Sequence, residues 1–229
     1  MSALPPSDGI ILRRIKHGDR NQIITIFTQE HGKITAYARG ARGMSKRFGG
    51  KLDLFQLGGA TFGRRRQASA MPVLSEFQLQ TGYIGIRTDI VKFAIASFWA
   101  ELVLTTSADH DPSPVHFTQL CDALATLEQS PLSARRDLIL GFQLQWFDSM
   151  GVLPPLDEEA LGRANLPPLS ERSLSIARAL VTGVSIEALN AHYADEVGTL
   201  TRSIRQGVLQ KPMSSAQFLH QVLTDPAGG

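Results

Sequence analysis

Hydrophobic and polar positions alternate at short range through the first eighty residues and at helical period thereafter. "GIILRRIKH" (9–17) and "RNQIITIFT" (20–28) are rich in Ile and Thr, with Gly18-Asp19 between them, which predicts a β-hairpin. "HGKITAYARGA" (31–41) sets Ile34, Ala36 and Ala38 against Thr35, Tyr37 and Arg39, a period of two that predicts a third strand. "KLDLFQLGGATF" (51–62) supplies a fourth, with a slip before Leu57, and Gly58-Gly59 predicts a bulge or sharp bend there. "MPVLSEFQLQT" (71–81) supplies the fifth, with Pro72 near its start, where a missing N–H does least harm. Five such strands in so short a stretch predict a small barrel or sandwich.

After Tyr83 the period changes. The apolar run from Ile90 to Thr105 is interrupted by Lys92 and Glu101, so it predicts a buried helix and not a membrane span. In 115–129, Phe117, Leu120, Cys121, Leu124 and Leu127 share one helical face. "SARRDLILGFQLQWFDSMG" (133–151) opens on Ser133, a cap candidate, and closes on Gly151, a C-terminal stop. Ser170 and Ser185 are further caps, Gly183 and Pro212 further stops, and Val197, Leu200, Ile204 and Val208 mark another amphipathic helix. "MGVLPPLDEEALGRANLPPLS" (150–170) carries four prolines and predicts a loop or short irregular insert. The expected fold is α+β: a small five-stranded barrel or sandwich over 1–82, the oligonucleotide-binding (OB) barrel being one such unit, then a helical domain over 83–229, with a cysteine-free insert near 152–169.

Composition narrows the setting. The 43% hydrophobic and 19% charged content is that of an ordinary globular protein. "MSALPPSDG" lacks the cationic start and apolar core of a signal peptide. A single cysteine, Cys121, excludes an internal disulfide and a cysteine-based zinc site, and a reducing cytoplasmic location is expected. The net charge of +2 hides an asymmetry. Residues 1–80 hold thirteen Lys/Arg against five Asp/Glu, whereas 81–229 hold ten against sixteen. A basic half joined to an acidic half predicts a polyanion partner for the first and a different partner for the second.

The basic residues cluster. "GARGMSKRFGG" (40–50) packs Arg42, Lys46 and Arg47 around Phe48, with Arg39 before it, Lys51 after it and no acid between Glu30 and Asp53. Glycines let backbone N–H groups approach phosphates, cations neutralise them, and an exposed aromatic ring can stack a base. Phe48 either stacks in that way or anchors its loop into the barrel. A second cluster, Arg64, Arg65 and Arg66, falls between the fourth and fifth strands, a loop position that OB-type barrels use for ligands. Nothing in these residues separates DNA from RNA.

Catalytic patterns are absent. There is no phosphate-loop ending, no H-E-x-x-H and no G-x-S-x-G. His110 and His116 form an H-x5-H pair in what reads as a proline-broken loop, a weak metal-site pattern, "DEE" (157–159) reads as a helix N-terminus, and Cys121 reads as core. The chain is therefore expected to be no enzyme and to need no cofactor; a metal-dependent nuclease using His110, His116 or those carboxylates is the competing idea.

The segment from Gly9 to Phe55 resembles the N-terminal domain of the RecO family, in its runs "TIFTQEHGK", "ARGAR" and "RFGGKLDLF". "FQLQWFDSMGVLPPLD" (142–157) is similar to the family's helical domain. The resemblance covers about 150 residues well. It implies an OB barrel followed by helices and a non-enzymatic mediator of recombination and DNA repair. Such a protein binds single- and double-stranded DNA and anneals complementary strands. It contacts the tail of single-strand-binding protein, and works with RecR to load RecA. Many members carry a four-cysteine zinc module where this chain has "LDEEALGRANLPPLS", so the zinc is expected to be lost. Arg135 and Arg136 beside Leu138, Phe142 and Trp146 could form a cation-rimmed groove for the acidic tail, the alternative being that Phe142 and Trp146 are helical core. An RNA-binding barrel in translation or RNA processing remains the alternative function.

Overall fold

The computed structural model describes residues 4–43, 46–48, 52–63, 71–184, 186 and 189–224. The chain packs as two compact units, Met1–Glu128 and Gln129–Gly229.

The first unit is built on a five-stranded sheet. Strands β1 (Ser7–His17), β2 (Asn21–Thr28), β3 (Gly32–Ala38), β4 (Leu57–Phe62) and β5 (Leu74–Thr81) lie in the order β3-β2-β1-β4-β5. All four neighbouring pairs are antiparallel. Ile24, Ile26, Ile34, Ala36 and Ala38 point to one side of β2 and β3 and are fully buried with Ile11, Ala60, Phe62, Leu74 and Phe77. The ladder does not close into a continuous barrel. Its edges β3 and β5 meet at a single parallel bridge, Tyr37 with Val73, where the Tyr37 N–H donates to the Pro72 carbonyl at 2.8 Å.

The predicted hairpin turns at Gly18, and the predicted irregularity falls between Leu57 and Gly58. The fourth strand is shorter than its hydrophobic spacing suggests. Residues 52–56 fold back on the core instead, with Phe55 in the left-handed region at φ 65° and its N–H donating to the Ile11 carbonyl at 2.8 Å. Leu52 and Phe55 are buried because the turn packs inward, not because a strand alternates there.

Three helices complete this unit: α1 (Ile84–Thr88), α2 (Ile90–Thr106) and α3 (Pro114–Gln129). Asp89 caps α2 by accepting from the Val91 and Lys92 N–H groups. The helices pack on the sheet through Phe55 against Phe93 and Phe27 against Phe117, with ring centroids 5.5 and 6.3 Å apart. The α2–α3 connection is latched to the edge of β3: the His110 N–H donates to the Lys33 carbonyl at 3.1 Å. Gly32, at φ 63°, leaves no room for a Cβ against the Asp111 backbone. The change from strand to helix period near residue 83 therefore falls inside a packing unit.

The second unit holds α4 (Arg135–Ser149), α5 (Glu158–Arg163), α6 (Glu171–Val181), α7 (Ala191–Val208) and α8 (Ser214–Thr224). Leu140 and Leu144 of α4, Ile176, Ala177 and Leu180 of α6 and Val197 of α7 form its core. Ser133 is not a cap. It lies within a 3-10 turn, Leu132–Ala134, which delays α4 to Arg135 and leaves Ala134 at the N-cap without a side-chain bond. Gly151, at φ 70°, ends α4, with the Val152 N–H returning to the Phe147 carbonyl at 2.9 Å. The proline-rich insert contains one ordered helix, α5, capped by Asp157 with Glu158 and Glu159 in its first turn. Ser170 caps α6 as expected, and Ser185 lies outside the described residues. Among the described residues no helix is long and apolar enough to cross a membrane.

Candidate nucleic-acid interface

The glycine-rich loop begins where β3 leaves the core. Its first part is fastened to the β1–β2 turn: the Gly40 N–H donates to Asn21 Oδ1 at 2.9 Å and the Arg42 N–H to the Arg20 carbonyl at 3.1 Å. The Arg42 guanidinium reaches the Gly18 and Asp19 carbonyls at 3.2 and 2.9 Å. These acceptors are neutral, so the cation is positioned without being neutralised. Arg39 and Arg42 are exposed. Arg47, also exposed, donates to the Arg39 carbonyl at 3.3 Å and lies 5.7 Å from the Phe48 ring centroid.

Phe48 has the opposite fate from a stacking residue. It closes the 3-10 turn Lys46–Phe48 and is 2% exposed, packed into the sheet core with Ile11, Ala41 and Leu52. A base cannot reach a ring in that position, so Phe48 anchors the loop and leaves the DNA-contacting set. Lys51, Arg64, Arg65 and Arg66 lie outside the described residues, as does the side chain of Lys46.

The structure adds cations that the loop-centred reading missed. β1 is buried from Ile10 to Leu12 and exposed from Arg13 to the turn at Gly18, with a bulge between Ile11 and Arg13. Beyond that bulge the hairpin becomes a basic arm carrying Arg13, Arg14, Lys16 and, past the turn, Arg20. Arg14 is compensated, its guanidinium 3.0 Å from Asp53, which Arg87 also meets at 3.0 Å. Arg13, Lys16 and Arg20 form no ion pair among the described residues. The signal was present as four cations in "LRRIKHGDR", overshadowed by the denser loop. Arm and loop are joined by the Arg42 bonds, so Arg13, Lys16, Arg20, Arg39, Arg42 and Arg47 belong to one connected basic surface.

In the second unit, Arg136 is exposed and Arg135 is half-buried, donating to the Leu132 carbonyl at 3.0 Å. Phe142 and Trp146 are 4% and 1% exposed, stacked with centroids 5.6 Å apart. Both rings are helical core, because α4 is buried on most of its circumference, and Phe142 cannot line an open groove.

The residues that the competing nuclease idea would use are placed as follows among the described residues. The His110 backbone N–H donates to the Lys33 carbonyl of β3, and Glu159 pairs with Arg163 at 2.9 Å along α5. Burial, ahead of the carboxylates of Asp122 and Asp8, pushes the Cys121 thiol up to about 11, so it stays protonated and unreactive at neutral pH. Among the described residues no three His, Cys, Asp or Glu side chains are grouped to hold a metal ion.

Comparison with known proteins divides the chain at the change of hydrophobic period near residue 83, ahead of the packing division after Glu128. A family model described as "Recombination protein O N terminal" matches residues 1–83, and one described as "Recombination protein O C terminal" matches residues 87–217. A "DNA repair protein RecO" of Desulfatibacillum aliphaticivorans is 35% identical over 68% of this chain and 60% of its own length. Proteins of the same description from Anaeromyxobacter dehalogenans strain 2CP-C and Myxococcus xanthus are 33% and 29% identical, over 69% and 67% of this chain and 61% and 62% of their own. The chain thus spans about three fifths of the length of the relatives it matches.

Proposed function

The chain belongs to the RecO family, and from that premise we propose that it serves DNA recombination and repair as a non-enzymatic DNA-binding mediator. Its basic arm and loop gather the phosphates of single- and double-stranded DNA, bringing complementary strands together for annealing. The acidic helical unit meets protein partners, among them RecR and the acidic tail of single-strand-binding protein, so that RecA is loaded on coated strands in the cytoplasm. Arg135 and Arg136 at the start of α4 are the cations offered to that tail, with Phe142 removed from the site. The observation that carries this reading is the joined basic surface on an OB-type sheet, which brings together Arg13, Arg20, Arg39, Arg42 and Arg47, none of them in an ion pair among the described residues.

The test is annealing of complementary strands coated with single-strand-binding protein, with and without the chain. Acceleration is expected, and no effect on coated or bare strands would overturn the reading. Matched single-stranded DNA and RNA of one sequence form the second arm: a clear preference for RNA would favour a role in RNA processing instead. Turnover of either nucleic acid upon adding divalent metal would reinstate the nuclease idea.

A further inference from the structure

Seven aromatic rings precede α1, and six of them, Phe27, Phe48, Phe55, Phe62, Phe77 and Tyr83, are no more than 6% exposed. Tyr37 is the exception. It faces the side of the β1–β2–β3 sheet opposite the isoleucine core, in register with Ile23, which in turn pairs with Ile15. This outer face is divided. At one end α3 covers it, with Phe117 against Phe27, and α2 accepts from the Lys33 ammonium through the Leu104 carbonyl at 2.8 Å. At the other end no described element covers it. There Ile15 is 40% exposed, Val73, bridged to Tyr37, is 39% exposed, and Met71 just before it is 43% exposed.

We propose that this end, centred on Tyr37, is a stacking site for an unpaired base of a single strand. The inference rests on the nucleic-acid-binding reading above and adds to it where a base, as distinct from a phosphate, is held. Three observations select that occupant. First, the residue is placed in advance: its backbone N–H is bonded to the Pro72 carbonyl, and the His17 ring packs against its ring at 5.6 Å and an interplanar angle of 86°. A residue placed in advance loses little freedom when a base covers it. Second, the apolar strip is flanked by Arg13, two pairs along β1 from Ile15, and by Arg39, two residues beyond Tyr37, neither in an ion pair among the described residues. Apolar surface rimmed by free cations suits a strand with bases on one side and phosphates on the other. Third, bases within a duplex are stacked on their neighbours and offer no free face, so the site favours the strand in its unpaired form.

Binding of oligo-dT containing one 2-aminopurine, and of a duplex of equal length, tests the site in wild type, Y37A, Y37F and Y37L. Y37A should weaken the single strand by about tenfold or more. It should also abolish the 2-aminopurine quenching, yet leave duplex affinity and the salt slope unchanged. Y37F should behave as wild type, and Y37L, apolar and bulky but without a ring, as Y37A. Wild-type affinity and quenching in Y37L would overturn the site, and this pair decides the matter even if Y37A fails to fold. Equal loss on single strand and duplex with a shallower salt slope would also overturn it, showing a phosphate contact instead. If the wild type binds neither DNA, the reading beneath the proposal fails first, and the site falls with it.

Discussion

Phe48 and Tyr37 lie eleven positions apart, and burial divides their roles. Truncating Phe48 to Ala removes a fully enclosed ring from the sheet core and should cost about 3–5 kcal/mol of stability. Urea denaturation would measure that loss, and the fraction that remains folded should bind DNA with a nearly normal salt slope. A Phe48→Ala protein as stable as wild type would show that the loop is not anchored by this ring. Both residue types were legible in the sequence, but the side taken by Phe48 was not. An aromatic among glycines carries no period, so nothing in "SKRFGGK" tells whether the ring turns in or out. For Tyr37 the alternation of "KITAYA" did assign the outer face. What it left out was the helical cover that closes one end of that face and spares the other.

Elements are stabilised by bonds that cross between them, and two of these make predictions. The carboxylate of Glu196 on α7 accepts from the backbone N–H and hydroxyl of Ser170 at the start of α6, at 2.9 and 2.8 Å, and the Ser170 N–H, then the hydroxyls of Ser170 and Ser173 and the charge of His192, hold its pKa below the ordinary carboxylate value. A carboxyl group whose pKa is lowered on folding stabilises the native state above its unfolded pKa, and that contribution is lost as pH falls through the folded one. Glu196→Gln should therefore lower the Tm at pH 7 and make almost no difference near pH 2, as scans at both values would check. An equal loss at both would mean that the charge is irrelevant. At Gly32, any side chain is strained by the left-handed backbone and meets Asp111. Gly32→Ala should cost about 1–3 kcal/mol, and hydrogen exchange at the His110 amide should accelerate as the latch to β3 opens. Hydrophobic period located most strands and helices, but it misplaced the start of β4 and of α4. In both places a tight turn, 52–56 or Leu132–Ala134, buries or positions residues at a spacing that imitates a regular element.

At the scale of the molecule, charge asymmetry was the most legible property, since it needs only a count along the chain. It predicts steep salt dependence of DNA binding, with a log–log slope on single strands of about −0.7 for each phosphate neutralised. Replacing Arg42, Lys46 and Arg47 together by Ala should flatten that slope and weaken all sequences alike; an unchanged slope would remove the loop from the surface. Reversing Arg135 and Arg136 to Glu should instead spare bare DNA and weaken an acidic tail peptide of single-strand-binding protein by about tenfold. Loss of bare-DNA affinity with the peptide spared would place those arginines on the nucleic-acid surface. The division of packing after Glu128 was not legible. Helical period states that α2 and α3 each bury a face, and only tertiary structure states that the face they cover belongs to the sheet.

The fastening of β3 at both its ends has a bearing on how the protein behaves in a crowd of its own kind. An unpaired strand edge is a template on which another chain can polymerise. Here the Lys33 carbonyl is taken by His110 and the Tyr37 N–H by Pro72, so just the few backbone groups between them face outward. That interval is too short to seat a foreign strand of ordinary length. Copies brought to high local concentration can thus lie side by side without β3 seeding a fibril.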